Sequence, residues 1–330
     1  MRPLSQLSRP IASGLSSIGC GIRSFSVLQA RVPNVLREKF EEGFSLKDGV
    51  KYLMPPEEKA ISRITAHLTD LLDASDDKEV KDFLSVIGRF KRDKDAFGLY
   101  LSNMPAGEVA GANFASVISK LVDFIPLDKG VFAERVSRVG STKDGITVPL
   151  DPHQDVSSAF AAQDSGIDLI SLVGIRLSGD RVRTYVLGAG DIYDKMSEKT
   201  RAILSSPIFT SVYYEHDERS DIPRSRTHFP IFYVNKRGAR ALSFNENFGK
   251  FDEFNLDSEF KKEEVEKALQ EFRDITLSLA VSEETPKFCI EESTMFAIRN
   301  DEGLHGREGG RGDRDVLLLP FRHKENNRTR

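Results

Sequence analysis

"IDLISLVGIRL" (residues 167–177) is followed, after the turn residues "SGD", by "RTYVLG" (183–188). Both runs are short, apolar and rich in β-branched residues, and Gly, Ser or Asp bounds them. That is the texture of strands, not helices. The same texture extends outward in both directions: "GVFAERVSRV" (130–139) and "ITVPL" (146–150) before it, and "IFTSVYYE" (208–215), "HFPIFYV" (228–234), "ARALSF" (239–244), "TMFAIRN" (294–300) and "RDVLLLPFR" (314–322) after it. Many short strands with turn signals between them predict a sandwich or jelly roll. "AFGLYLSNMP" (96–105) reads as an earlier buried strand ending at a turn.

Helices are expected to decorate this β-rich body. Pro55 and Pro56 open one, with Ile61, Ile64, Leu68, Leu71 and Leu72 at helical spacing. Val80, Phe83, Leu84 and Ile87 mark a second. "SEKTRAILSS" (197–206) is a third, with Ser197 as its N-cap. A fourth runs from about Ser258 to Ala280, with Val265, Ala268, Leu269, Phe272, Ile275 and Leu279 on one face. No repeat or internal boundary divides residues 35–330. The expected architecture is one mainly β domain with flanking helices, a double-stranded β-helix (jelly roll).

The N-terminus differs from the rest. Residues 1–33 carry Arg2, Arg9, Arg23, Arg31 and seven serines, and the first acidic residue is Glu38. Arg-rich, Ser-rich and acid-poor composition predicts an organellar transit peptide. "RSFS" (23–26) resembles a mitochondrial processing site cut after Phe25, so residues 1–25 are expected to be removed, with a boundary that extends at most to about 33. The predicted location is the mitochondrial matrix, with the cytoplasm as the alternative.

The totals narrow the function. A net charge of −4 argues against a general nucleic-acid binder. No apolar run reaches the roughly 18 residues of a membrane span. Two cysteines, Cys20 and Cys289, give neither a disulfide framework nor a cysteine-based zinc site.

The chemistry is concentrated in two places. "DPHQD" (151–155) holds His153 and Asp155 at i and i+2, a spacing that points both side chains to one side of a strand. "LHGREGG" (304–310) holds His305, just before another strand. Distant strands of a jelly roll face each other, so two histidines and a carboxylate can meet there. Two His and one carboxylate on one face of an octahedron suit non-haem Fe(II) and leave three open positions. Arg314 then enters an otherwise apolar strand, where an unpaired charge is costly. A dicarboxylate ligand would pair with it in a bidentate fork, and the hydroxyl of Thr184 could join the same carboxylate. An internal ion pair with Asp313 or Asp315 is the plainer use of Arg314.

These residues also resemble a family. "LISLVGIRLSGDRVRTYVLGAGDIYDKMSEKTRAILSSPIFT" (169–210), "ALSFNENFGKFDE" (241–253) and "FAIRNDEGLHGR" (296–307) occur in the order seen in clavaminate synthase-like and L-asparagine oxygenase-like dioxygenases of the taurine dioxygenase superfamily. The resemblance covers about 95 to 322. It implies Fe(II), the cosubstrate 2-oxoglutarate and O2, with His153, Asp155 and His305 as catalytic iron ligands and Arg314 and Thr184 as the 2-oxoglutarate anchor. It implies hydroxylation or desaturation of an unactivated C–H bond in a small, amino-acid-like substrate, with release of succinate and CO2. The stretch between His305 and Arg314 is shorter than in amino-acid hydroxylases of the group, which leaves Arg307 and Arg311 as alternative anchors. The family's second strand arginine is Leu318 here. Glu134, Ser157, Arg299, Asp301 and Arg307 are candidates to face a small zwitterion, and the polar stretch 215–229 is a candidate lid. Competing readings are a carnitine-pathway betaine or trimethyllysine hydroxylase, a zinc-dependent hydrolase and a non-catalytic jelly-roll binding protein.

Overall fold

A computed structural model of the chain describes residues 26–43, 75–126, 146–147, 149–155, 167–214, 223–244, 250–254, 259–312 and 314–323. The expected leader (1–25), the helix after Pro55, the strand 130–139 and residues 215–222 of the candidate lid lie outside the described residues.

Two sheets organise the rest. The larger contains β1 (Ser26–Arg31), β2 (Ala96–Ser102), β3 (Phe124–Pro126), β5 (Leu169–Leu177), β8 (Thr294–Arg299) and β10 (Arg314–His323), in the order β1-β2-β8-β5-β10-β3. The smaller contains β4 (Leu150–His153), β6 (Arg183–Gly188), β7 (Lys287–Cys289) and β9 (Gly303–Arg307), in the order β7-β6-β9-β4. All neighbours in both sheets are antiparallel except β1 and β2.

Alternation along β8 shows how the layers meet. Phe296 and Ile298 pack with Ile170 and Leu172 of β5 and with Val186 and Phe288 of the smaller sheet. Met295 and Ala297 point the other way, into a core shared with three helices. A strand buried on both faces reads as a continuous apolar run, because its side chains alternate between two cores. That is why "IDLISLVGIRL" and "TMFAIRN" carry so few polar residues. The outer face of the smaller sheet, with Tyr185, Leu187 and Leu304, closes a third core. The layers are therefore helices, larger sheet, smaller sheet and helices.

The helices on the larger sheet are α1 (Asn34–Gly43), α2 (Lys78–Arg92) and α3 (Glu108–Leu121). In α2, Val80, Phe83, Ile87 and Phe90 form the buried stripe, and the Asp77 carboxylate caps the first turn by accepting from Glu79 N–H. No element was expected over α3. Its residues 111–119 are all buried, so it has no polar face to create a 3.6-residue period. Gly111 lets it lie directly on β5, because a Cβ there would stand 2.9 Å from Val173 Cγ1.

The smaller sheet is backed by α4 (Ala189–Lys195), α5 (Glu198–Leu204) and α6 (Lys262–Val281). Ser197 caps α5 as expected, accepting from Thr200 N–H. The last helix begins at Lys262, later than Ser258, where the Glu264 carboxylate folds back to accept from Lys261 N–H. Residues 26–31, upstream of the expected domain start at 35, form the parallel edge strand of the larger sheet. Leu28 and Val32 are buried in the helix-side core, which explains why this segment is held.

Candidate metal centre and anion site

Strands β4 and β9 pair antiparallel with His153 directly opposite His305. The two rings stand 4.4 Å apart between centroids, tilted by 48°. Both face the space between the sheets, as does Val186, the β6 partner of His305. Behind them, Tyr185 lies across Gly306 and donates to the carbonyl of Leu150 at 2.8 Å. A Cβ at 306 would collide with the Tyr185 hydroxyl. The glycine of the "HGR" sequence thus lets β6 reach past β9 and pin β4, which fixes His153 beside His305.

Asp155 completes the cluster from just beyond the end of β4. Its Oδ1 is 3.9 Å from His153 Nε2, and its Oδ2 is 3.6 Å from His305 Nε2. One ligand atom of each residue lies within 4.8 Å of the others. His153 Nδ1 is 2.8 Å from the Asp151 carbonyl, which can only accept, so Nδ1 carries a hydrogen and Nε2 faces the cluster. Burial, reinforced by His153 and then Arg314, holds His305 well below the usual imidazole range, so it is neutral. Burial raises Asp155 above the usual carboxylate range, against the pull of His153. Its buried Oδ2 meets no hydrogen-bond donor among the described residues. An orphaned carboxylate oxygen beside two inward-facing Nε2 atoms is a donor set short of one cation.

Arg314 and Thr184 lie on the same inner space. Arg314, at the start of β10, is buried, and its Nη2 donates to Thr184 Oγ1 at 2.9 Å. Its Nε has no partner, and no carboxylate pairs with it among the described residues. Asp315, one of the two acidic neighbours of Arg314, pairs instead with Arg176 at 3.6 Å. Burial and then the charge of Arg307 push the Arg314 guanidinium down to about 10. Thr184 sits opposite Arg307 across β6 and β9. Arg307 shares the inner face with His305, two residues away, and is half-buried.

The other candidates are placed elsewhere. Arg299 lies on the helix side of the larger sheet, over the rings of Phe90 and Phe124, and donates to the Phe90 carbonyl at 2.7 Å. It serves packing, not the inter-sheet space. Asp301 accepts from Asn235 Nδ2 at 3.1 Å, and Asn235 also holds Glu302. Burial, then the neighbouring Glu302, pushes the Asp301 carboxyl up to about 7. Arg311 is exposed, with its backbone N–H bonded to Asp180. Glu134 and Ser157 lie outside the described residues. Leu318 packs against the inter-sheet core.

Two buried amides were missed by the sequence reading. Gln154 and Asn300 are both fully buried and hydrogen-bonded around the Asp155 backbone. Their only sequence signal is an amide beside each functional segment, in "DPHQD" and "RND", which is too common to single out.

The sequence matches no protein-family model and no curated protein. Solved structures are similar in fold. The non-heme iron oxygenase OrfP in complex with Fe and L-Arg superposes with a TM-score of 0.62 at 14% identity, covering 88% of this chain and 93% of that one. OrfP in complex with Fe, succinate and (3R,4R)-dihydroxy-L-Arg gives 0.60 at 14% identity, with coverage of 88% and 93%. Asparagine oxygenase in complex with Fe(II), 2S,3S-3-hydroxyasparagine and succinate gives 0.55 at 13% identity, with coverage of 90% and 93%. The likeness spans nearly all of both chains at 13–14% identity, and the fold of this chain is like that of these non-heme iron oxygenases.

Proposed function

We propose that this chain is an Fe(II)- and 2-oxoglutarate-dependent dioxygenase acting on a small amino-acid-like substrate, and that its two facing sheets are the walls of a double-stranded β-helix. The observation that carries the reading is the juxtaposition of the His153–Asp155–His305 cluster with a buried arginine, Arg314, that has no carboxylate partner among the described residues. A zinc-dependent hydrolase would use the cluster but would leave Arg314 without a purpose.

The roles follow from the geometry. His153, Asp155 and His305 would hold Fe(II) and leave three positions open. With 2-oxoglutarate and O2, the metal supplies oxidative decarboxylation to succinate and CO2, coupled to hydroxylation or desaturation of a C–H bond. Arg314 pairs with the far carboxylate of 2-oxoglutarate, and the Thr184 hydroxyl keeps its guanidinium oriented. The apolar wall of Val186, Phe288, Phe296 and Ile298 excludes water. Structures of similar fold contain arginine, canavanine or hydroxyasparagine, which supports an amino-acid-like substrate. We place the enzyme in the mitochondrial matrix on the composition of residues 1–25.

The test is succinate formation by the full chain with Fe(II), ascorbate and 2-oxoglutarate, screened against free amino acids, betaines and sulfonates. Stimulation by an amino acid, lost when iron is chelated, is the expected result. Hydrolysis of a substrate with Zn(II), and no 2-oxoglutarate turnover under any condition, would overturn the reading.

A further inference from the structure

We propose that Gln154 and Asn300 are positioning residues for Asp155, forming an amide clamp that sets its carboxylate against the two imidazoles. The inference rests on the metal-centre reading above and assigns a role to residues outside the ligand set.

Asp155 needs such a device. The sheet holds His153 and His305 through the ladder between β4 and β9, but β4 ends at His153. Among the described residues no hydrogen bond to Oδ2 steers the Asp155 carboxylate. Its direction therefore depends on where the backbone of residue 155 is held. Asn300 holds it from both sides. Asp155 N–H donates to Asn300 Oδ1 at 3.2 Å, and Asn300 Nδ2 donates back to the Asp155 carbonyl at 3.2 Å. This side chain replaces the missing strand neighbour, giving residue 155 the reciprocal pair of bonds that a ladder would give.

The clamp is itself anchored. Asn300 Nδ2 also donates to the Ile167 carbonyl at 3.2 Å, and Asn300 N–H donates to the Asp168 carbonyl at 3.0 Å. Gln154 Nε2 donates to the Asn300 carbonyl at 2.6 Å and to the Leu242 carbonyl at 2.9 Å, while Gln154 Oε1 accepts from Phe244 N–H at 2.7 Å. Each amide thus uses both N–H donors and its oxygen, with no solvent exposure. Fully satisfied buried networks of this kind are rigid and intolerant of substitution. Neither position suits an acid. A carboxylate at 154 or 300 would set an oxygen against two backbone carbonyls, where the amide now donates.

The experiment is a Co(II) titration of the metal-stripped full chain, followed by visible absorbance, with thermal melting of each metal-free variant alongside. Gln154→Met and Asn300→Ser remove the donors. Asn235→Ser is the comparator, because Asn235 ties Asp301 and Glu302 without touching Asp155. Groups behind a ligand typically change metal affinity by about 10–100-fold. We expect Gln154→Met and Asn300→Ser to weaken Co(II) binding by that factor and to shift the ligand-field bands. Asn235→Ser should lower the melting temperature with affinity and bands unchanged. If Asn300→Ser does not fold, Gln154→Met, which leaves the Asn300 side chain in place, decides alone. Wild-type affinity and wild-type bands in the folded variants would overturn the clamp, while loss of Co(II) in a His153→Ala control would leave the triad standing. Failure of the wild-type chain to bind Co(II) would overturn both.

Discussion

His153 and His305 are cross-strand partners, in register on adjacent antiparallel strands, with their rings 4.4 Å apart. Cross-strand neighbours separated by 152 positions in sequence are brought together by backbone pairing, so the imidazoles are preorganised before any metal arrives. His153→Ala or His305→Ala should therefore abolish Fe(II) binding and turnover while leaving the sheets intact. Circular dichroism should be unchanged and the metal-binding isotherm flat. Full activity in either variant would remove the triad.

Gly306 gives a prediction about how that register is held. A methyl group at 306 must displace the Tyr185 ring from the path to Leu150. Forcing an extra carbon into a packed site typically costs about 1–3 kcal/mol. Gly306→Ala should lower stability by that amount in a denaturant melt and weaken metal binding as β4 loosens. A wild-type melt would show that Tyr185 can move aside freely.

Much of this was legible in the sequence, and the failures have physical causes. The strand-rich body, the capped helix after Ser197 and the His-x-Asp and His-Gly-Arg segments are local patterns of period, cap and spacing. Their meeting in space is not local. The two strands are expected to face each other across the barrel mouth; instead β4 and β9 are direct neighbours in one sheet, and the ladder between them brings the histidines together. The helix Glu108–Leu121 was invisible because burial on all sides removes the amphipathic signal. Arg299 and Asp301 were misplaced for a related reason. The residues on either side of Asn300 go to different surroundings, and a sequence does not show which face each takes. Arg299 went to the helix side and Asp301 to the Asn235 network.

Asp301 sets a pH dependence that is separate from catalysis. Its folded carboxyl is raised to about 7 by burial and by Glu302, whereas an unfolded Asp titrates near 3.9. The folded state thus holds a proton that the unfolded state has lost. Stability falls as pH rises through that window, because the native chain binds more protons there. Asp301→Asn should make the melting temperature less dependent on pH between 5 and 8. It should stabilise the chain at pH 8 by on the order of 1–3 kcal/mol. An unchanged slope would show that Asp301 is ionised in the folded protein.

Arg314 carries the prediction that separates this enzyme class from its rivals. Its guanidinium is buried, bonded to Thr184 and without a carboxylate partner among the described residues. Such a group costs stability in the free protein and is repaid only when an anion binds. Removing one partner of a desolvated charge pair costs about 2–5 kcal/mol, or roughly 30-fold to several thousand-fold in affinity. Arg314→Ala should raise the 2-oxoglutarate requirement by that factor with Fe(II) binding nearly unchanged. Arg314→Lys should recover only part, since a point charge cannot reproduce the planar fork. Arg311→Ala should have no effect, because Arg311 is exposed. Thr184→Val should cost roughly 10- to 150-fold, the worth of one hydrogen bond to a charged group at about 1.5–3 kcal/mol. Arg314→Met adds a second, independent reading: without 2-oxoglutarate it should melt at or above the wild-type temperature, because a buried cation has been replaced by an apolar chain of similar length. Anaerobic titration of 2-oxoglutarate into each Fe(II)-loaded variant, followed by charge-transfer absorbance, measures the first set, and calorimetry of the apo-proteins the last. If Arg314→Ala binds as tightly as wild type while Arg307→Ala does not, the anchor is Arg307, the inner-face neighbour across from Thr184. If neither matters, 2-oxoglutarate is not the ligand for which this arginine is buried.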